Sequence, residues 1–177
     1  STVQGRRASL EVAVGSTEVR RSLLTAPASA VVAPVTNSIA LRQESGSATV
    51  VSSTIEGAGA IDQRGGVATI TASTVEAHDF LPTPAIQNVT NLMLHGSWVG
   101  AACAERPATL GWNADADGSC VGGSPQDRPG VPGLLGALVD NGGPTPTRVP
   151  AANSPLVDAV PGGTARLCDG SIAADQR

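Results

Sequence analysis

The chain has 177 residues and a net charge of −4, and it is 41% hydrophobic but only 2% aromatic, with Phe80, Trp98 and Trp112 and no Tyr. That length allows one domain with an aliphatic interior, which suits thin stacked strands better than a core built around rings. All eleven basic residues are Arg, with no basic run longer than Arg6-Arg7 or Arg20-Arg21, and no apolar stretch reaches 18 residues; nucleic-acid binding and a membrane-spanning helix are both disfavoured.

From the N-terminus a short phrase recurs as Ser1-Thr2-Val3, Ser22-Leu23-Leu24, Ser53-Thr54-Ile55, Ser73-Thr74-Val75 and Gly96-Ser97-Trp98. The start carries no signal-peptide pattern and reads as strand-like sequence inside a longer protein. Each phrase after the first follows a β-rich piece, STEVRR, SATVVS, VATITA or NVTNLML. Periods of roughly 20 to 30 residues with one or two short strands each predict the coils of a parallel β-helix. In Ala48–Ile55 and Val67–Val75, small polar residues alternate with β-branched ones near period two, favouring strand over helix. The longest interval holds Ala26-Pro27 and Ala33-Pro34-Val35 and is read as a looped-out insertion or an extra strand. Asp62-Gln63-Arg64-Gly65 is read as a turn.

Beyond residue 100 the pattern changes. Cys103 and Cys120 are the natural disulfide of an exported chain, closing a loop worth about 3 kcal/mol on the chain-entropy model. Cys168 is left over, either free and buried or paired elsewhere. Gly111–Cys120 reads GWNADADGSC, and Asn141-Gly142-Gly143-Pro144 is a strong chain-reversal signal. Leu134, Leu135, Leu138, Val139, Leu156 and Val157 are read as the apolar underside of a cap over the open sheet edge.

The tail phrases resemble those of choice-of-anchor Q (CSLREA-type) bacterial surface proteins. Gly111-Trp112-Asn113 with Asp117 and Cys120 is similar to that family's G-Y-N-x-x-x-D-x-x-C. Pro132–Thr147 is similar to D-P-L-L-G-P-L-x-D-N-G-G-P-T-x-T, with Gly133 inserted and Ala137 for the second Pro, and Arg148 stands where His is usual. Asn153–Ala159 and Cys168 with Asp175-Gln176-Arg177 are similar to the closing phrases. The resemblance implies a right-handed, pectin-lyase-like parallel β-helix on a secreted bacterial surface protein.

The expected architecture is all-β: a right-handed single-stranded parallel β-helix of about five coils over residues 1–100, with a C-terminal coil and irregular cap over 101–177. Candidate chemistry is sparse. Glu56 and Glu76 both directly follow the repeated phrase, so they should stack one coil apart as a carboxylate pair facing a carbohydrate groove, or as a solvated turn. Asp115 and Asp117 are calcium candidates without the bidentate Glu of an EF-hand, or a plain Asx-turn. His78-Asp79 and His95 lack the nucleophile motif of a triad. Asn88-Val89-Thr90 is a formal glycosylation acceptor. No catalytic residue, cofactor or metal is assigned. The expected role is a monomeric, non-catalytic extracellular stalk, adhesin or binding surface for a polysaccharide or cell-surface ligand. The alternative is a polysaccharide lyase or glycoside hydrolase.

Overall fold

The computed structural model describes residues 2–4, 8–26, 39–77 and 83–172, with side chains from residue 10 onward. Every regular element among them is a β-strand. After β1 (Thr2–Gln4) the strands follow in threes. One coil is β2 (Ala8–Val12), β3 (Ser16–Arg20) and β4 (Leu23–Ala26). The next is β5 (Ile39–Gln43), β6 (Ser47–Val51) and β7 (Thr54–Gly57). Then come β8 (Gly59–Gln63), β9 (Val67–Thr71) and β10 (Thr74–Ala77). The fourth is β11 (Ile86–Val89), β12 (Leu92–His95) and β13 (Trp98–Val99). The short β14 (Ala108–Thr109) and β15 (Ala114–Asp115) belong to a fifth, looser turn.

These strands form three all-parallel sheets. Sheet A is β1-β4-β7-β10-β13-β15, sheet B is β2-β5-β8-β11 and sheet C is β3-β6-β9-β12-β14. The chain is therefore a parallel β-helix, with three strands per coil where the sequence reading expected one or two. The interval 27–38, read as an insertion, lies outside the described residues.

Alternation sends every second side chain inward, and stacking aligns those side chains into columns. Leu10, Leu41, Ile61 and Ile86 line up on sheet B. Val19, Val50, Ile70 and Leu94 line up on sheet C. Leu24, Ile55, Val75 and Val99 line up on sheet A. The three columns meet in one aliphatic core. Such an interior needs no aromatic ring, which accounts for the composition.

The recurring phrase has a physical cause. Between sheets C and A the chain turns in two residues in the first four coils, the first left-handed at Arg21, Ser52, Ala72 and Gly96 (φ 47 to 57°), and the stacked Trp112 of the longer last turn is left-handed too (φ 62°). The second residue carries the ladder. The amide of Ser22 donates to Ser53 Oγ (3.1 Å), Ser53 to Ser73 Oγ (3.2 Å), Ser73 to Ser97 Oγ (3.2 Å) and Ser97 to Asn113 Oδ1 (3.0 Å). Each hydroxyl in turn donates to the carbonyl two residues back, as from Ser73 to Thr71 (2.7 Å). Serine thus closes a turn whose amide no strand could satisfy. Thr74 pairs with Trp98, so the fourth interval begins at Ser97 rather than Gly96 and the phrase there is Ser97-Trp98-Val99. Ser73→Ala removes an acceptor from a buried amide and should cost about 1 to 3 kcal/mol. Urea unfolding measures the loss, and amide exchange at Ser53 should accelerate.

Residues 101–131 close the C-terminal end of the coils, braced by the Cys103–Cys120 disulfide (Cα–Cα 5.2 Å). The remaining segment adds no backbone pairing to the coils. Residues 134–151 form an irregular hairpin with antiparallel bridges Leu135–Pro150 and Val139–Thr147. It runs back along the outer face of sheet A as far as Arg148, which meets Glu56 on β7. The described backbone hydrogen bonds of residues 132–172 all close within that segment. Side chains therefore attach this strap to the coils. None of its six expected cap residues is buried: Leu134, Val139 and Val157 are exposed, and Leu135, Leu138 and Leu156 are half-buried. On the outward row of sheet A the strap packs against Trp98, where a Cβ on Gly133 would stand 2.5 Å from the indole.

Candidate functional site

Stacking in register turns sequence-distant charges into neighbours, and the densest such group lies on sheet B. Glu11, Arg42 and Asp62 occupy one outward row on β2, β5 and β8. Asp62 is only 1% exposed. Its Oδ2 accepts from Arg42 Nε (3.2 Å) and Arg64 Nη2 (2.9 Å). Its Oδ1 accepts from Arg64 Nε (3.2 Å) and Asn88 Nδ2 (2.8 Å). Arg64 also reaches Glu44 (3.4 Å). Its pKa is raised, first by the hydrogen bond to Asp62 and then by that carboxylate's charge. Two oxygens holding four donors are full. Asp62 is thus the knot of three coils.

The sequence reading did not find this cluster, because Asp62–Gly65 looked like a turn. Asp62 and Gln63 in fact end β8. Aligning Leu41-Arg42-Gln43-Glu44-Ser45-Gly46 with Ile61-Asp62-Gln63-Arg64-Gly65-Gly66 would have exposed it. The shared Gln has its own role. Gln63 Nε2 donates to the carbonyls of Gly65 and Gly66, and its Oε1 accepts from the amides of Thr90 and Asn91. One coil below, Gln43 Nε2 likewise donates to the carbonyl of Gly46 and to that of Val67 in the coil above it.

Glu56 and Glu76 do stack in register on β7 and β10, as expected. Both are engaged. Glu56 takes Arg148 Nη2 at 3.1 Å, and Glu76 takes Trp98 Nε1 at 3.0 Å. Glu56 is buried against Arg148 of the strap, and Glu76 is half-buried against Trp98 of the next coil. Beside them a cleft of about 460 Å³ separates the turn edge (Ser52, Ala72, Gly96) from Leu135, Leu156 and Leu167 of the strap. Arg148→Ala should cost about 1 to 3 kcal/mol, the range between an exposed and a fully buried pair. Limited proteolysis should then cut residues 132–160 faster while leaving the coils intact.

The calcium candidates lie together, with ligand atoms within 4.8 Å of each other and of the disulfide-bonded Cys120 sulfur, but they differ in burial. Asp115 is fully buried, and Asp117 is exposed. Asp115 Oδ1 accepts from the amides of Gly118 (3.1 Å) and Gly130 (2.9 Å), and Oδ2 from those of Cys120 (2.6 Å) and Val121 (3.1 Å). Four backbone donors leave that carboxylate no free lone pair for a cation. Asp117 forms the Asx-turn, held below the ordinary carboxylate range first by the Ser119 hydroxyl and then by the Ser119 amide. Asp127 and Asn113 complete the loop. Asp127 Oδ1 accepts from Thr109 Oγ1 (2.9 Å) and the Asn113 amide (3.1 Å), while Asn113 Nδ2 donates to Thr109 Oγ1 (2.7 Å).

The other singled-out residues are scattered. His78-Asp79 lies outside the described residues. His95 ends β12 with its imidazole held below the ordinary range by burial, and secondarily by the charge of Arg166. Asn88 sits at a bulge with φ 50° and spends its amide on Asp62. Cys168 is a free thiol and exposed, not buried. Among the described residues no helix is long and apolar enough to cross a membrane. On sheet C the outward residues Glu18, Arg20, Ser47, Thr49, Thr69, Thr71 and Met93 are partly or fully exposed, while Val51 and His95 in the same rows are buried. No protein-family model, curated protein or solved structure matches the chain.

Proposed function

We propose that the chain is a non-catalytic β-helical module of a bacterial secreted or cell-surface protein of the choice-of-anchor Q kind, and that it serves as a stalk or binding surface. The observation carrying this reading is that the carboxylates the fold brings together are spent on architecture: Asp62 on two arginines and Asn88, Asp115 on four amides, Glu56 on Arg148. The disulfide fits an oxidising compartment. The right-handed hand follows the rule for parallel strand–crossover–strand connections. Any ligand face is assigned to sheet C, whose Thr49 and Thr69 sit side by side, half-exposed and uncharged. That face suits a neutral polysaccharide or cell-surface glycan. Binding of the chain to a panel of insoluble glycans, compared with a Thr49→Arg/Thr69→Arg variant, tests it. Equal binding by both would remove sheet C from the reading.

A second reading, a carbohydrate-active enzyme, is favoured by one specific observation. Glu11, Glu44 and Asp62 cluster with Arg42 and Arg64 on sheet B. That reading needs Asp62 to release its partners when substrate arrives.

A further inference from the structure

The Asn141-Gly142 step sits at the tip of the strap hairpin, and its hydrogen bonds reach Thr147, the residue before Arg148, the latch that holds the strap to Glu56. Asn141 Nδ2 donates to the carbonyls of Val139 (3.2 Å) and Thr147 (2.9 Å) and to Thr147 Oγ1 (3.0 Å). The same two residues exchange backbone hydrogen bonds, Val139 to Thr147 (3.2 Å) and Thr147 to Val139 (2.9 Å). Thr147 is buried, and the next residue is Arg148, whose guanidinium bonds Gly136 O and Glu56. The primary amide of Asn141 is thus the clip that closes the hairpin beside the latch.

Asn141 and Gly142 are both exposed, and Gly142 has φ 88° with open space where a Cβ would stand. An asparagine followed by an uncrowded glycine is the most reactive context for intramolecular amide attack. We propose that Asn141 is a spontaneous deamidation site whose conversion irreversibly opens the hairpin and frees the strap from sheet A. Solvent base takes the proton of the Gly142 amide, and the nitrogen forms a bond to Asn141 Cγ. The Cγ–Nδ2 bond breaks and ammonia leaves. Water then opens the resulting succinimide to aspartate or isoaspartate, with no change of oxidation state.

The consequence follows from donors and acceptors. The amide gives N–H groups to two carbonyls, whereas the product carboxylate presents only acceptors to them. Attraction becomes repulsion beside the Val139–Thr147 bridge near the tip of the hairpin. The folded chain also restrains the reaction, because the Gly142 amide donates to Asp140 Oδ1 (2.8 Å) and the Asn141 side chain is tied to Thr147. Conversion therefore waits for hairpin opening, and once it occurs the clip cannot reform.

The test incubates the whole chain at mildly alkaline pH, folded or in urea, and follows the peptide holding Asn141 by mass spectrometry. Conversion should be slower in the folded chain. A brief protease pulse should then cut residues 132–150 about tenfold faster in converted than in unconverted molecules, the effect of losing two hydrogen bonds. Asn141→Asp, made directly, should show the same cleavage with the coils unchanged. Equal conversion in folded and denatured chain, no conversion in either, or equal cleavage of Asn141→Asp and the parent would each overturn the proposal.

Discussion

Replacing Asp115 with alanine is expected to unfold the C-terminal end of the coils, at a cost of about 4 kcal/mol or more. The side chain is fully buried and holds the amides of Gly118, Cys120, Val121 and Gly130. Removing it leaves several buried amides unsatisfied, each costing about 1 to 3 kcal/mol. Asp115→Asn keeps one carbonyl oxygen but turns the other oxygen into a donor that faces donors. It should therefore recover only part of the loss. Thermal unfolding of the three forms gives the magnitude. The covalent Cys103–Cys120 link keeps the loop closed, so hydrogen exchange should localise the damage to residues 114–131 rather than to the Cys103 side. A stable Asp115→Ala chain with unchanged exchange would mean that the carboxylate is a bystander.

Gly46→Ala is the second large effect. Gly46 lies in the turn from sheet B to sheet C with φ 72°, and a Cβ there would sit 2.0 Å from the carbonyl oxygen of Gly15 in the coil below. That oxygen accepts the Ser47 amide at 2.8 Å, so it cannot swing away without breaking the ladder. Gly66 repeats the arrangement above, with φ 74° and Gly46 O at 2.3 Å from its would-be Cβ. Left-handed strain adds about 1 to 2 kcal/mol to the clash, and overpacking about 1 to 3 kcal/mol. Loss of cooperative unfolding or insoluble expression is the expected outcome. Gly15→Ala, where no atom lies within 4 Å, should cost only the conformational part. The difference between these two glycines in a urea titration separates stacking from turn conformation.

Both effects come from one property of the fold, that each turn rests on the turn below. Sequence carries this property unevenly. The serine phrase was legible because the same side chain meets the same need in successive coils, and period-two alternation gave the strands. The number of strands per coil was not legible. Sheet B strands such as Gly59-Ala60-Ile61-Asp62-Gln63 are buried on both faces and lose their alternation. Asp62 was missed for a related reason. Its partners Arg42 and Asn88 stand 20 and 26 residues away and only the winding makes them neighbours.

The tail shows the opposite case. Its wording was the most distinctive part of the chain, and its turns and the Cys103–Cys120 pair were read correctly. Its destination was not, because Arg148 finds Glu56 across 92 residues and nothing local records that contact. The Leu and Val residues taken for a cap underside looked apolar in sequence, yet Leu134, Val139 and Val157 face solvent. Burial of a short irregular segment depends on where it docks, and composition cannot supply that.

The central claim is that these clustered carboxylates hold coils together and do no chemistry. Its most direct test is product release from pectin and alginate by the chain and by its Asp62→Asn variant. The account predicts no release of unsaturated or free uronic acid by either protein, together with lower thermal stability of the variant. Release by the parent that disappears in a still-folded Asp62→Asn chain would contradict it.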